Sequence, residues 1–233
     1  MQKVVALIFT SIFLSSSKKE LIARKWQYRA GLESILRNLP QDSLKMIIDN
    51  TGFFSGNSNE FTLFPGGNRD FYLLSYSNNE GRSNKGIGEL EMLNAASEYL
   101  DFDDYDKIIY MTGRYIYTQP YSIENAIRSN ANLVYCTPSF YGLDGKSRNQ
   151  EDCETINDMF FCADAKFIKG YLDYFRSNKD RMIKQGLPSE KLLWEYHNKM
   201  KLDSEFRSIE IPAIGIVRAT TPRRITLDEV QII

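Results

Sequence analysis

The sequence predicts an α/β fold of three layers, with a mostly parallel central sheet covered by helices on both faces. Val4–Thr10 is an apolar run typical of a buried parallel strand, and Lys107–Met111 is the most strand-like segment of the chain. Strand and helix patterns follow each other in the order strand, helix, strand, strand, helix, strand, which favours a parallel sheet. The 233 residues contain no repeat, low-complexity tract or linker, so we expect one domain over 1–233.

Apolar periodicity and turn residues set the bounds of the individual elements. The first helix begins with the capping box of Ser17 and Glu20 and stops at Pro40, and the last helix begins with Ser189 as its cap. Further strands are expected, in chain order, at 44–48, 71–76, 107–111, 132–136, 158–163 and 209–217. Helices are expected at 17–39, 87–100, 122–129, 166–176 and 189–202, and polar loops at 53–68, 77–85 and 139–154.

The N-terminus also has features of a secretory signal, since Lys3 precedes a short apolar run. However, Ser15–Ser17 and Lys18-Lys19 offer no small-x-small cleavage site, and the run is too short to span a bilayer. We therefore interpret this run as the first strand of the sheet.

Composition and motifs exclude several classes of protein. Hydrophobic residues make up 42% and charged residues 25%, as in ordinary globular proteins, and the net charge of −1 provides no attraction to nucleic acid. Cys136, Cys153 and Cys162 have no CxxC spacing and are expected to be reduced thiols of a cytoplasmic protein. No GxGxxG, GxxxxGK(S/T), HExxH or GxSxG motif occurs, and His197 is the only histidine. Dinucleotide, P-loop, zincin and serine-hydrolase sites are therefore not expected.

Polar residues follow the expected strands at their carboxyl ends, where ligands bind in sheets of this kind. These ends are Phe9–Ser11, Asp49-Asn50, Ser75–Asn78 and Thr112–Arg114. Thr10 and Ser11 offer hydroxyls, and the carboxylate of Asp49 can accept from a base or a ribose. An Asx turn that holds the following loop explains Asp49 equally well.

Two segments are suited to bind an anion. Asn84–Glu89 leads into the helix at 87–100, where amides favour anions, Gly86 and Gly88 would let a phosphate approach and Lys85 adds positive charge. Arg114, at the end of its strand, can fork onto phosphate oxygens. The structural alternatives are an ordinary glycine-containing helix start and a solvated arginine after a tight turn.

This order of elements and segments resembles the nucleotide-sugar-binding half of GT-A glycosyltransferases. It is most similar to the small enzymes that build bacterial surface polysaccharides and the glycans of large viruses. The most telling segments are Asn84–Glu89 and Thr112–Tyr115, and the resemblance covers about residues 3–140. It implies a nucleotide-diphospho-sugar transferase-like fold, with a donor-binding half at about 1–140 and an acceptor-binding half at about 141–233. The implied reaction moves a sugar from a nucleotide diphosphate, with UDP favoured, to a glycan or lipid-linked glycan.

The resemblance also implies which residues form the nucleotide-sugar site. The residues expected at the base and ribose are Phe9, Thr10, Ser11, Asp49 and Asn50. The residues expected near the diphosphate and the donor sugar are Lys85, Gly86, Glu89, Thr112, Gly113 and Arg114.

The sequence departs from the family pattern at the metal-binding motif. GT-A enzymes usually carry Asp-x-Asp after the fourth strand, where a divalent cation, Mn or Mg, bridges the diphosphate. Here Thr112-Gly113-Arg114 takes that place. Asp101–Asp104 contains an Asp-x-Asp motif but precedes the strand, and it is expected to end a helix on the surface. We assign no metal ligand, leave the metal requirement open, and expect Arg114 with Lys85 to replace much of the cation's charge.

An inverting transfer needs a carboxylate that takes the proton of the acceptor hydroxyl. In family members with this layout the base often starts the helix after the acceptor-side strands, and Glu190 matches that position. Asp158 and Glu195 are the other catalytic candidates, and a structural role is the alternative for each of the three. His197 is expected to be a packing or hydrogen-bonding residue.

Two other functions fit the same architecture. A sugar-phosphate nucleotidyltransferase would carry a glycine-rich loop after the first strand, but Phe9–Lys19 contains no glycine. The missing Asp-x-Asp also leaves open a non-catalytic nucleotide- or sugar-binding protein of the same fold. We expect a cytoplasmic location, with peripheral attachment to the inner face of a membrane as an alternative, and neither a nucleic-acid partner nor a transmembrane segment.

Overall fold

The computed structural model describes residues 2–11, 18–52, 71–76, 84–117, 120–137, 155–212 and 216–218. The strands are β1 Val4–Thr10, β2 Leu44–Asp49, β3 Tyr72–Ser75, β4 Lys107–Thr112, β5 Tyr115–Tyr117, β6 Leu133–Thr137, β7 Asn157–Ala163, β8 Ser208–Pro212 and β9 Ile216–Arg218. The helices are α1 Lys18–Asn38, α2 Lys85–Tyr99, α3 Pro120–Arg128, α4 Ala165–Gln185 and α5 Ser189–Met200, with a short 3-10 helix at Phe102–Asp104. The expected loops at 53–68 and 139–154, most of that at 77–85, Cys153 and residues 219–233 lie outside the described ranges.

Seven strands form the central sheet in the order β3-β2-β1-β4-β7-β6-β8. The strands β3, β2, β1 and β4 run parallel to one another, and β8 runs parallel to β6. Only β7 among these described strands is reversed, since it pairs antiparallel with both β4 and β6. The predicted mostly parallel sheet is confirmed, with β7 as the one reversed strand among those described.

The two faces of the sheet each carry a separate apolar core. Along β1, Ala6 and Ile8 face a cluster that includes Leu32 and Ile35 of α1. Alternate residues of the same strand, such as Leu7, face a second cluster formed with α2, α4 and α5. A strand buried on both faces needs apolar residues at every position, which explains the unbroken run of Val4–Phe9. The three-layer α/β architecture is confirmed.

The last predicted strand, 209–217, was wrong as a single element. It is divided into β8, at the edge of the central sheet, and β9, which pairs antiparallel with β5 in a separate two-stranded sheet. The sequence did not predict β5, because three residues that directly follow a tight turn carry no periodic signal.

Helix ends also differ from the predictions. Ser189 is the first residue of α5 and not its cap, since Pro188 holds the cap position without a side-chain hydrogen bond. The helix α4 continues to Gln185 because Met182 is buried in the core, and Gly186 ends it with a left-handed φ of 63°. The residues between 176 and 182 are polar, so the apolar pattern did not predict this continuation.

Two cysteines lie within the described part of the chain. Cys136 and Cys162 are free and buried, and burial raises the pKa of each thiol to about 12. They therefore stay protonated at neutral pH, as expected of inert core thiols. Separately, none of the helices in the described ranges is long and apolar enough to cross a membrane.

His197 of α5 is a packing residue, as expected, and it is only 2% exposed. Its Nε2 lies 2.9 Å from Ser208 Oγ, and its ring contacts the edges of Tyr135 and Phe206. Burial, together with the nearby charge of Lys201, lowers the pKa of the imidazole to about 4.

This lowered pKa predicts a pH-dependent stability. The unfolded chain has the ordinary histidine pKa of about 6.5, so it takes up the proton before the folded chain as the pH falls. The contribution of neutral His197 is present above about pH 6.5 and is lost toward pH 4, at most about 3 kcal/mol. Urea unfolding across this range should show the loss in the wild type, and His197→Gln should lack that component. Parallel pH profiles for the two proteins would contradict this explanation.

Candidate functional site

The carboxyl ends of β1, β2 and β4 lie side by side and border a cleft. In the sheet register Thr10 stands opposite Asp49, and Phe9 stands opposite Thr112. The cleft is narrow, with about 40 Å³ of space accessible to water inside an open recess of about 450 Å³. The residues that line it are Phe9, Ser11, Arg24, Tyr28, Asn50, Lys85, Gly88, Glu89, Met92, Thr112 and Arg114. Seven of these were predicted as site residues: Phe9, Ser11, Asn50, Lys85, Glu89, Thr112 and Arg114.

Ser11 links four elements at the floor of the cleft. Its amide donates to the hydroxyl of Tyr28 at 3.0 Å, and its carbonyl accepts from Arg24 at 2.8 Å. Its hydroxyl donates to Asn50 Oδ1 at 2.8 Å, and Asn50 Nδ2 donates to the carbonyl of Gly88 at 3.2 Å. The end of β1 is thereby joined to α1, β2 and α2, so these lining groups are held in fixed positions.

The charges along the cleft favour an anion. Arg24, Lys85 and Arg114 contribute three cationic side chains, and Glu89 contributes one carboxylate. Glu89 is held in place from two sides, by Lys85 Nζ at 3.1 Å and by the hydroxyl of Ser189 at 3.0 Å. The cleft therefore has an excess of positive charge within low-dielectric walls, which strengthens its attraction for a polyanionic ligand.

Arg114 is the cation with unused hydrogen-bonding capacity. None of the described residues is a hydrogen-bond partner of its buried Nε, and its guanidinium lies 5.4 Å from the ring centre of Tyr115. Burial opposes its charge, but Tyr115, Tyr28 and Glu89 offset this effect and the pKa of Arg114 is raised. The guanidinium stays protonated, and its orphan donor would be satisfied by a ligand oxygen.

A contact between two glycines positions the turn that carries Arg114. The amide of Gly113 donates to the carbonyl of Phe9 at 2.8 Å, which ties the turn to the end of β1. On its other side, a Cβ added to Gly31 of α1 would lie 2.1 Å from the carbonyl oxygen of Gly113. The helix and the turn can approach this closely only because residue 31 has no side chain.

The sequence did not identify three of the lining residues, Arg24, Tyr28 and Met92, and it singled out Gly88 only as part of the segment Asn84–Glu89. Arg24 and Tyr28 are four residues apart on α1, so they lie on one face of the helix. The helix that follows β1 starts at the carboxyl edge of the sheet, and this rule could have drawn attention to its first turns. Neither a capping motif nor apolar periodicity singles out polar residues in the body of a helix, so the sequence did not indicate these two.

Four predicted binding residues are not among the lining residues of the cleft, namely Thr10, Asp49, Gly86 and Gly113, and the first two of them are fully buried. The carboxylate of Asp49 accepts from the amide of Thr51 at 3.2 Å and from its hydroxyl at 2.8 Å. Thr10 Oγ1 donates to the carbonyl of Ile48 at 3.1 Å. These contacts are those of the Asx turn that was the structural alternative, and the contact of Asp49 with a base or ribose stays a prediction.

Gly86 has a different surrounding from the one expected of a phosphate-binding glycine. A Cβ at this position would lie 2.4 Å from the amide nitrogen of Ser189, so Gly86 allows α2 and α5 to approach closely. Its amide donates to the side chain of Asn84 at 2.9 Å, and the next two amides donate to the Asn84 carbonyl. These amides at the start of α2 already have partners, and it is the side chain of Lys85 that reaches the cleft.

The three catalytic candidates lie in different places. Glu190 is half-buried in the first turn of α5, and its Oε2 lies 3.3 Å from the Ser189 hydroxyl that also bonds Glu89. It is next to the cleft wall through this contact, but it is not among the described lining residues. Glu195 is paired with Arg181 and accepts from the hydroxyl of Tyr174, which places it between α4 and α5 and not in the cleft lining. Asp158 lies in β7, and its side chain is outside the described part of the structure.

The described residues of the cleft do not fit a divalent cation. Mg and Mn take several oxygen ligands, whereas Glu89 is the single carboxylate among the described lining residues and already bonds Lys85 and Ser189. Asp101 caps the 3-10 helix before β4, and Asp103 pairs with Lys169 on the surface. No group of three or more His, Cys, Asp or Glu side chains in the described ranges is placed to hold a metal.

Comparison with known proteins gives a match at the level of the fold. No protein-family model and no curated protein matches the chain. Among solved structures, it is similar to a Desulfovibrio desulfuricans protein provisionally assigned as a nucleotide-diphospho-sugar transferase, with a TM-score of 0.51 and 14% identity. The match covers 91% of this chain and 80% of that chain. At this identity the likeness shows the fold alone, and it confirms the predicted fold class.

The glycine contact can be tested with Gly31→Ala. Helix propensity alone would make this substitution stabilising by about 1 kcal/mol, because alanine is the better helix former. The overlap of the new Cβ with the Gly113 carbonyl should instead destabilise the protein by about 1–3 kcal/mol. Urea unfolding measures the sign, and Gln27→Ala on the same helix is the control, expected within about 0.5 kcal/mol of wild type. A more stable Gly31→Ala protein would show that the contact is not tight.

Proposed function

We propose that the protein is a glycosyltransferase that moves a sugar from a nucleotide-diphosphate donor, with UDP favoured, to a glycan or lipid-linked glycan. The observation that carries this proposal is the cleft at the ends of β1, β2 and β4, in which an unsatisfied arginine follows β4. Sheets of this type bind ligands at this edge. The fold likeness to a provisionally assigned nucleotide-diphospho-sugar transferase is consistent with it.

Arg114 is the proposed ligand of the diphosphate. A guanidinium can donate two parallel hydrogen bonds to phosphate oxygens, and a ligand oxygen would satisfy the buried Nε. Lys85 adds a second positive charge at the same wall of the cleft. Its position is set by the ion pair with Glu89, which in turn bonds Ser189.

The proposed chemistry is a displacement at the anomeric carbon of the donor sugar. The acceptor oxygen forms a bond to this carbon while the bond to the diphosphate oxygen breaks, and the leaving diphosphate gains negative charge. Preorganised cations at that position stabilise the transition state more than the ground state. Arg114 and Lys85 thus take the role of charge compensation, since the described donor set does not suit a cation.

Glu190 is the proposed base for the acceptor hydroxyl. It is half-buried, and a single hydroxyl, that of Ser189, lies between its carboxylate and that of Glu89 on the cleft wall. Glu195 is less suited because Arg181 and Tyr174 occupy its carboxylate. Asp158 stays a candidate by its position in the sequence.

The donor site is tested by thermal shift with UDP-, GDP- and CMP-sugars. A ligand that binds the folded state raises its apparent stability by mass action, and we expect this for the wild type. Arg114→Ala should weaken donor binding about 10- to 100-fold, the effect of losing hydrogen bonds to a charged group. Arg176→Ala is the matched control, because Arg176 bonds Asp173 and Asn94 on the surface.

Two outcomes would contradict this assignment. One is activity that disappears with a chelator and returns with manganese while Arg114→Ala stays active. The other is the absence of any response to all three nucleotide sugars. Donor binding without hydrolysis or transfer would instead favour a non-catalytic binding protein of the same fold.

The base is tested with Glu190→Gln. Loss of a general base should lower kcat about 10²- to 10⁴-fold and remove the acidic limb of the pH-rate profile, with little change in donor binding. Glu195→Gln is the paired control: it breaks the contact with Arg181 and should reduce stability without a selective loss of kcat. Near-wild-type turnover of Glu190→Gln would remove Glu190 as a candidate.

A further inference from the structure

The outer face of α1 carries an exposed patch of two large apolar side chains beside basic ones. Ile22 is 48% exposed and Trp26 is 56% exposed. Lys25 and Arg29 lie on the same face, because positions 22, 25, 26 and 29 follow helical spacing. The guanidinium of Arg29 lies 5.8 Å from the centre of the Trp26 ring. These four residues are called the α1 patch below.

The helix α1 is one of two strongly basic helices of the chain. The sequences of α1 and α4 each contain six basic and two acidic residues, a net charge of +4. The whole chain has a net charge of −1, so the remainder outside these two helices carries −9. Both helices therefore attract anionic surfaces, and of the two it is α1 that exposes two large apolar side chains beside its basic ones.

The α1 patch lies on the opposite side of the same helical turns that wall the cleft. Arg24 and Tyr28 point to the cleft and bond Ser11, while Ile22 and Trp26 are exposed. A helix with its side chains is about 10–12 Å across. A surface in contact with the α1 patch would therefore come within about that distance of the cleft wall.

We propose that the α1 patch docks the protein on a membrane surface that contains anionic phospholipid, so that the cleft meets a lipid-linked acceptor. The acceptor part of this proposal rests on the proposed glycosyltransferase function. Tryptophan and isoleucine next to basic side chains are the combination that enters the interface between headgroups and acyl chains, while the cations bind the anionic headgroups. An isolated pair of apolar side chains is also too small for the core of a stable protein interface.

Docking is tested by cosedimentation with phosphatidylcholine vesicles, with and without phosphatidylglycerol, in the absence of nucleotide. The wild type should bind the anionic vesicles at low ionic strength and bind them less as salt rises. The double variant Ile22→Ser and Trp26→Ser should lower the partition coefficient at least about tenfold. Ile183→Ser on α4 is the matched control, since Ile183 is 53% exposed and lies outside the α1 patch.

Three results would overturn the docking proposal. These are no binding to anionic vesicles, equal binding by the wild type and the double variant, and self-association of the wild type that the double variant abolishes. The last would identify the α1 patch as an interface between copies of the chain. Because these measurements use no nucleotide, a failure here is separate from a failure of the donor-binding test, which uses no vesicles.

Discussion

The close backbone contact between Gly31 and Gly113 is the constraint on which the site depends. It sets the distance between α1 and the turn after β4. The positions of the other α1 residues relative to the site are thereby fixed. Toward one end of the helix, Arg24 and Tyr28 reach the cleft through Ser11. Toward the other, Ser34 Oγ accepts from the amide of Tyr117 in β5 at 2.9 Å. One line of residues on α1 thus holds the cleft, the arginine turn and β5 in register.

The sequence predicted the sheet well because a strand buried on both faces appears in the sequence as an unbroken apolar run. The apolar runs Val4–Phe9 in β1 and Ile108–Met111 in β4 have no good alternative to a central strand. Prediction from the sequence failed for contacts between residues that are far apart in the chain. Nothing in the local sequence shows that Gly31 meets Gly113, that Ser189 bonds Glu89, or that β9 pairs with β5.

The site was predicted to the extent that position in the sheet determines it. The rule that ligands bind at carboxyl ends of strands located Ser11, Asn50 and Arg114, which all line the cleft. The rule says nothing about which side chains at an edge face the cleft, so it could not separate Asn50, which lines the cleft, from Asp49, which does not, although both are buried. Gly86 shows a similar limit, because a glycine in the first turn of a helix can allow close packing of another helix as readily as it can admit a phosphate.

The pairing of β5 with β9 joins a strand from the middle of the chain to one about a hundred residues later, beside the turn that carries Arg114. Tyr115, next to Arg114, stands opposite Arg218 in this ribbon, so a strand from the predicted acceptor half braces a residue of the predicted donor half. The two predicted halves thus share a sheet. A chimera that replaced the residues after 140 with a foreign segment would also have to supply a strand that matches β5, or the turn that carries Arg114 would lose this support.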